Sequence, residues 1–219
     1  MRETFNPKTE ILPAAQRELW PLLAPAPRLS YVLYGGTAIA LHLGHRASFD
    51  FDFFRLKPLD KTELLAEFPF LKTAETIQED SNTLVVSVTM PSGKVKVSFF
   101  GGIHFGRIGE PLMTSDSTLL VASPEDLLGT KLKAILDRAE AKDYRDISAL
   151  LASGLSLERG LGAFTAMFKK DPSLPLKAIG YFKDGDLPAL PKADQDRLRK
   201  ARDAVADVPT LKVADPSLA

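Results

Sequence analysis

Residues 34–54 read YGGTAIALHLGHRASFDFDFF, and the fold turns on this stretch. The β-branched and aromatic residues 31–34 predict a strand that ends at Gly35-Gly36. TAIALHLGH then predicts a short helix, with Thr37 as its N-cap and Gly44 as its stop. SFDFDFF predicts a second strand. Side chains alternate faces along a strand, so Ser48, Asp50 and Asp52 share one face and Phe49, Phe51 and Phe53 the other. The phenylalanines are expected on the core. The two carboxylates point away from it, roughly 7 Å apart at Cα.

Two readings of that acidic pair stand at this point. One is an amphipathic strand with a solvated face. The other is a ligand set for one Mg²⁺ or a bridged metal pair, whose charge would offset the repulsion between the two acids. The glycine pair bears on the choice. Bare backbone at the start of a helix can receive a phosphate, and one short helix joins it to the aspartates. A phosphate cradle beside a metal-binding carboxylate pair is a nucleotide site.

Gly35-Gly36, thirteen intervening residues and Asp50-Phe51-Asp52 resemble the signature of the polymerase-β-like nucleotidyltransferase fold. The longer string is similar to the AbiEii/AbiGii toxin family of nucleotidyltransferases, which carries G-G-T-A-L followed by H-R-x-S-x-D-x-D. Gly35, Gly36, Thr37, His45, Arg46, Ser48, Asp50 and Asp52 stand in that pattern. TKLKAILDRAEAKDYRDISALL resembles the same family's downstream helix, with an early lysine and a later K-D-x-x-D. The resemblance implies a toxin of a toxin–antitoxin or phage-defence pair that transfers a nucleotidyl group from an NTP to an acceptor, with tRNA, other RNA or protein as candidates. It implies a cognate antitoxin as partner. Asp50 and Asp52 would ligate Mg²⁺ (or Mn²⁺), and Gly35, Gly36 and Thr37 would hold the phosphates, with Arg46 and Ser48 beside them. Lys131 would contact the nucleotide, and Asp143 would complete the catalytic set.

Periodicity adds a second cationic feature. Lys131, Ile135, Arg138 and Lys142 follow i, i+4, i+7, i+11 and predict one helix face. Three cations on that face suit a triphosphate or an RNA backbone. The plainer alternative is a solvated face laced by pairs such as Lys142 with Asp146.

Around this centre, the hairpin signal Pro91-Ser92-Gly93 joins two strands, TLVVSVTM and KVKVSFF. A helix is expected over 60–68 with Asp60 as cap. A long helical region runs from Ser123 to Gly154, with a bend expected near residue 140. Three proline-separated helical segments follow over 156–206, and then a loose tail. The fold class is therefore α+β: a small mixed β-sheet with flanking helices, followed by a helical C-terminal half. The expected division is an α/β core over 1–122 and a helical region over 123–219 packed on it.

The composition narrows the rest. The chain has 219 residues, 45% hydrophobic and 26% charged, so a sizeable core is affordable. Lys+Arg and Asp+Glu are equal at 28, which gives no bulk charge for non-specific nucleic-acid binding. There is no cysteine, which excludes disulfides, thiolate metal sites and cysteine nucleophiles. No secretory signal is read at the start, and no apolar run approaches the ~20 residues a membrane span needs. The expectation is a cytoplasmic protein with no membrane partner.

One feature departs from the nucleotidyltransferase pattern. Such enzymes usually carry a third carboxylate on a strand facing the D-x-D, yet residues 81–109 contain no Asp or Glu. Ser98 stands where that acid is expected, with Asp80 and Glu110 flanking the hairpin as substitutes. A catalytically silent nucleotide-binding module, or a protein-interaction component with a merely solvated acidic face, are the rival readings.

Overall fold

The computed structural model describes residues 3–219. Backbone contacts divide the chain into two compact units. Among the described residues, the first holds 3–106, 110–123 and 215–219. The second holds 107–109 and 124–214.

The first unit is built on one mixed sheet. Its strands are β1 (Thr4–Phe5), β2 (Val32–Tyr34), β3 (Asp50–Phe54), β4 (Glu75–Asp80), β5 (Thr83–Met90), β6 (Gly93–Phe100), β7 (Leu112–Thr114) and β8 (Leu120–Val121). Their order across the sheet is β1-β7-β8-β2-β3-β6-β5-β4. β3 lies at the centre, antiparallel to β2 and parallel to β6. Between the strands run α1 (Ala14–Leu19), α2 (Gly35–Leu43) and α3 (Lys61–Glu67). Asp60 caps α3 as expected, its carboxylate accepting from the Glu63 backbone N–H at 3.0 Å.

The core lies on the phenylalanine face. Leu33, Phe53, Phe99 and Leu84 form one row across four strands, and all are buried. Tyr31 meets Phe53 and Phe99 edge-on, and Trp20 tilts against Phe51 at 6.4 Å. The alternation fails at one residue. Phe49 precedes the first residue of β3 and is 68% exposed, so it is not a core residue. The pleat that buries Phe51 and Phe53 begins only where pairing with β6 begins.

β4 is an edge strand whose six residues are all exposed. Its register shifts between Thr76 and Gln78, the mark of a bulge. Glu75 pairs with Lys94 and Glu79 with Lys61.

His42, on α2, stacks on Phe5 at 4.2 Å, and its Nε2 lies 3.0 Å from the Ala122 carbonyl oxygen. Burial lowers its pKa below the ordinary 6.5, against a smaller opposing effect of the carbonyl. The unfolded chain therefore takes up this proton first as pH falls. Stability from His42 is complete above about pH 6.5 and declines as the pH drops toward the folded pKa. Thermal melts from pH 8 to 5.5 are expected to show a steeper loss for wild type than for His42→Gln.

The second unit is helical: α4 (Pro124–Asp137), α5 (Ala141–Ala152), α6 (Leu157–Phe168), α7 (Ser173–Ala178) and α8 (Lys192–Asp203). α4 starts at Pro124, a residue suited to the first helical position because it lacks an N–H. The expected bend is a full break at residues 138–140, with Glu140 extended before α5. Part of the tail packs firmly. A Cβ on Gly162 of α6 would lie 2.6 Å from the Pro209 carbonyl oxygen and 3.1 Å from Leu211 Cγ. No helix among the described residues is long and apolar enough to cross a membrane.

Candidate functional site

One set of candidate residues belongs to the sheet unit. α2 begins at Gly35 itself, two residues earlier than the Thr37 cap predicted from sequence. Thr37 lies inside the helix and is buried, and its hydroxyl donates to the Asp50 carbonyl oxygen. It ties α2 to β3, and so is not the N-cap. Gly44 ends the helix in the left-handed conformation, at φ 65°. His45 therefore lies beyond α2.

Gly35 has φ 79°, a backbone that L side chains rarely adopt, and a Cβ there would fall 2.8 Å from Asp52 Oδ2. The glycine thus lets the carboxylate sit directly against the start of the helix. Gly35→Ala is expected to lower stability by about 1–2 kcal/mol through backbone strain, seen in denaturant melts. It should also weaken Mn²⁺ binding, because Asp52 must shift.

Asp50 and Asp52 lie on one face of β3, both partly exposed. The β3–β6 register sets Asp50 opposite Lys96 and Asp52 opposite Ser98. Ser98 is buried in the position where a third acid was sought. Asp80 cannot substitute for it. The Asp52 row runs through Ser98 and Val85 to Gln78, and Asp80 falls two rows further along, in the row of Phe54, on the far edge strand. Three strand spacings separate that edge from β3, about 14 Å. Asp50 instead makes an ion pair with Lys96, Oδ2 to Nζ at 2.9 Å.

Ser48 lies outside β3 and is buried, so it does not extend the acidic face as a strand residue. Arg46 donates to the Ala47 carbonyl oxygen at 2.9 Å. Gly36 is the second residue of α2.

These residues suit one Mg²⁺. The ion takes one or two carboxylates and completes its octahedron with water and substrate phosphate oxygens. The donor set does not suit a carboxylate-bridged metal pair. Among the described residues, no group of three or more His, Asp or Glu side chains could hold a metal ion.

A separate set of candidate residues belongs to the helical unit and differs from the predicted cationic face. Lys131 and Ile135 are buried, and the break after α4 puts Lys142 on another helix. Lys131 Nζ lies 2.7 Å from both Asp143 Oδ1 and Asp146 Oδ2. Arg138 Nε donates to Asp143 Oδ2 at 2.7 Å. Lys142 pairs with Glu140 at 2.7 Å, and Asp146, its expected partner, is taken by Lys131. Burial pushes the Asp143 pKa up, but hydrogen bonds from Arg138 and the charge of Lys131 outweigh it and hold the carboxyl below the usual carboxylate value.

Sequence reasoning gave Asp146 to Lys142 and overlooked Lys96. Asp146 lies across a helix break from Lys131, so no helical spacing links those two. Lys96 was legible: in KVKVSFF it shares parity with Ser98 and faces the same way.

Known proteins bear on the fold and the family. A candidate nucleotidyltransferase from H. pylori aligns with a TM-score of 0.56 at 20% identity, covering 86% of this chain and 90% of its own. The nucleotidyltransferase toxin MenT4 of Mycobacterium tuberculosis H37Rv aligns with a TM-score of 0.57 at 17% identity, covering 84% and 79%. Both likenesses speak for the nucleotidyltransferase fold. An uncharacterised protein of Aquifex aeolicus (strain VF5) is 28% identical over 158 residues, which is 70% of this chain and 74% of that protein. Residues 19–214 match the model of the nucleotidyl transferase AbiEii toxin family of type IV toxin–antitoxin systems, and the chain belongs to that family.

Proposed function

We propose that this chain transfers a nucleotidyl group from an NTP to an acceptor and acts as the toxin of a pair whose antitoxin restrains it. The observation that carries this reading is Gly35 at the start of α2, its missing Cβ making room for the Asp52 carboxylate. A helix N-terminus favours a phosphate, and the adjacent carboxylates favour the cation that travels with it. Asp50 and Asp52 hold Mg²⁺ or Mn²⁺ in this reading. Gly35 and Gly36 receive the triphosphate through their backbone, with Arg46 as a further cation. Thr37 fixes the distance between cradle and carboxylates.

In the reaction an acceptor hydroxyl oxygen bonds to the α-phosphorus, and the bond to the β-phosphate oxygen breaks. Pyrophosphate leaves, and the hydroxyl proton passes to solvent. The bound ion supplies charge neutralisation on the phosphates and activation of the acceptor. By family resemblance Lys131 serves the nucleotide, with Asp143 and Arg138 positioning it. Lys142 is a weaker candidate, because Glu140 engages it. RNA, with tRNA foremost, is the proposed acceptor, and the cytoplasm the proposed compartment.

The test is incubation of the purified protein with each α-labelled NTP, Mg²⁺ or Mn²⁺ and total RNA, beside the Asp50→Ala/Asp52→Ala variant. Label on RNA with wild type alone supports the reading. Ser98 in the expected third-acid position favours one rival, a silent nucleotide-binding module. Metal-dependent NTP binding without transfer to RNA or protein would establish that module instead.

A further inference from the structure

We propose that Lys96 is a working residue of the nucleotide site, supplying the positive charge that a second metal ion supplies in related chemistry. This rests on the reading of Asp50 and Asp52 as metal ligands. Where a third carboxylate would recruit another cation, the neighbouring strand presents an ammonium directly. Lys96 is in register with Asp50 on β6, on the same face, with Nζ 2.9 Å from Oδ2. Ser98, in register with Asp52, adds no charge.

Charge balance explains why a cation is useful there. Two carboxylates and one divalent ion sum to zero, which leaves the triphosphate uncompensated. Lys96 brings the local sum to +1, without an added ion. The residue is also placed to change partners. Its side chain is 43% exposed and that of Asp50 39%, and a pair this exposed contributes little to stability. The four-carbon stem is flexible. Lys94, two residues earlier on the same face, is committed to Glu75 at 3.0 Å on the edge strand. Before metal binds, Lys96 holds Asp50. Once Asp50 turns to the ion, the ammonium is released beside the phosphates. It remains protonated, and no covalent bond forms at it.

This predicts effects of opposite sign on two ligands. Mn²⁺ alone competes with Lys96 for Asp50, so Lys96→Met should bind Mn²⁺ about 2- to 5-fold more tightly, read by electron paramagnetic resonance of the free ion. Non-hydrolysable nucleoside triphosphates, each tested at saturating Mn²⁺, should bind about 10-fold more weakly to Lys96→Met. Lys96→Arg should recover much of that loss. A Lys96→Met protein whose Mn²⁺ and nucleotide affinities are both unchanged, or both weakened, overturns the proposal. Asp50→Asn separates the two levels of inference. If it leaves wild-type Mn²⁺ binding intact, the metal-site reading itself fails. If it abolishes Mn²⁺ binding while Lys96→Met changes nothing, only the role of Lys96 fails.

Discussion

Asp52→Asn is expected to reduce nucleotidyl transfer by about 1,000-fold, on the order of 4 kcal/mol of transition-state stabilisation. The substitution keeps the size and shape of the side chain and removes its charge. Asp52 is the acid set against the first residue of α2, where the missing Cβ of Gly35 leaves room for it. An amide there is a poor ligand for Mg²⁺ and gains nothing from the positive end of the helix. Because Asp52 is partly exposed, the loss of its charge should leave the melting temperature nearly unchanged. The decisive comparison is single-turnover transfer at saturating metal against a thermal melt of the same sample. Transfer within 10-fold of wild type would show that Asp52 does not carry the chemistry.

Lys131→Met is expected to produce the largest loss of stability, about 3–5 kcal/mol. The ammonium lies 2.7 Å from two carboxylates whose side chains are fully buried, and methionine removes the cation they share while Arg138 still engages Asp143. The pH dependence should also flatten. In wild type the depressed Asp143 pKa gives stability that is present above the unfolded value near 3.9 and lost as pH falls through the folded one. In the variant the charge and hydrogen bond of Lys131 are gone and Arg138 alone holds the carboxyl down, so the depression shrinks and less stability is lost as pH falls. Urea melts of both proteins between pH 4 and 7.5 measure this directly. A companion variant, Lys131→Met/Asp143→Asn/Asp146→Asn, should recover much of the stability without recovering transfer. Recovered stability assigns the loss in Lys131→Met to the buried carboxylates deprived of their shared ammonium.

The sequence was most readable where local chemistry and tertiary packing agree. The β5–β6 hairpin follows from alternation around Pro91-Ser92-Gly93, and the β2-α2-β3 passage from its glycines. β4 was missed because it buries nothing, so Glu75–Asp80 carries no apolar rhythm. β1, β7 and β8 are two or three residues long, too short to announce themselves. Phe49 was misassigned by extending the alternation one residue beyond the first pairing of β3. The cationic face failed at residues 138–140, where a break of three residues ends a period that the spacing alone continues. The acidic pair itself was legible because two aspartates between buried phenylalanines can face only one way. What faces it across β6 depends on strand pairing, which no local pattern states.

β4 carries a consequence for how the chain behaves in a crowded solution. An open strand edge offers unpaired N–H and C=O groups to any neighbouring chain, a route to sheet-to-sheet aggregation. Here that edge is bent by a bulge, lined with Glu75, Glu79 and Asp80, and crossed by lysine side chains that pair with two of them. An incoming strand would have to strip water from those charges and straighten the kink before it could add. The least core-like strand of the sheet is in this sense its gatekeeper, keeping the central strands from serving as a template for growth.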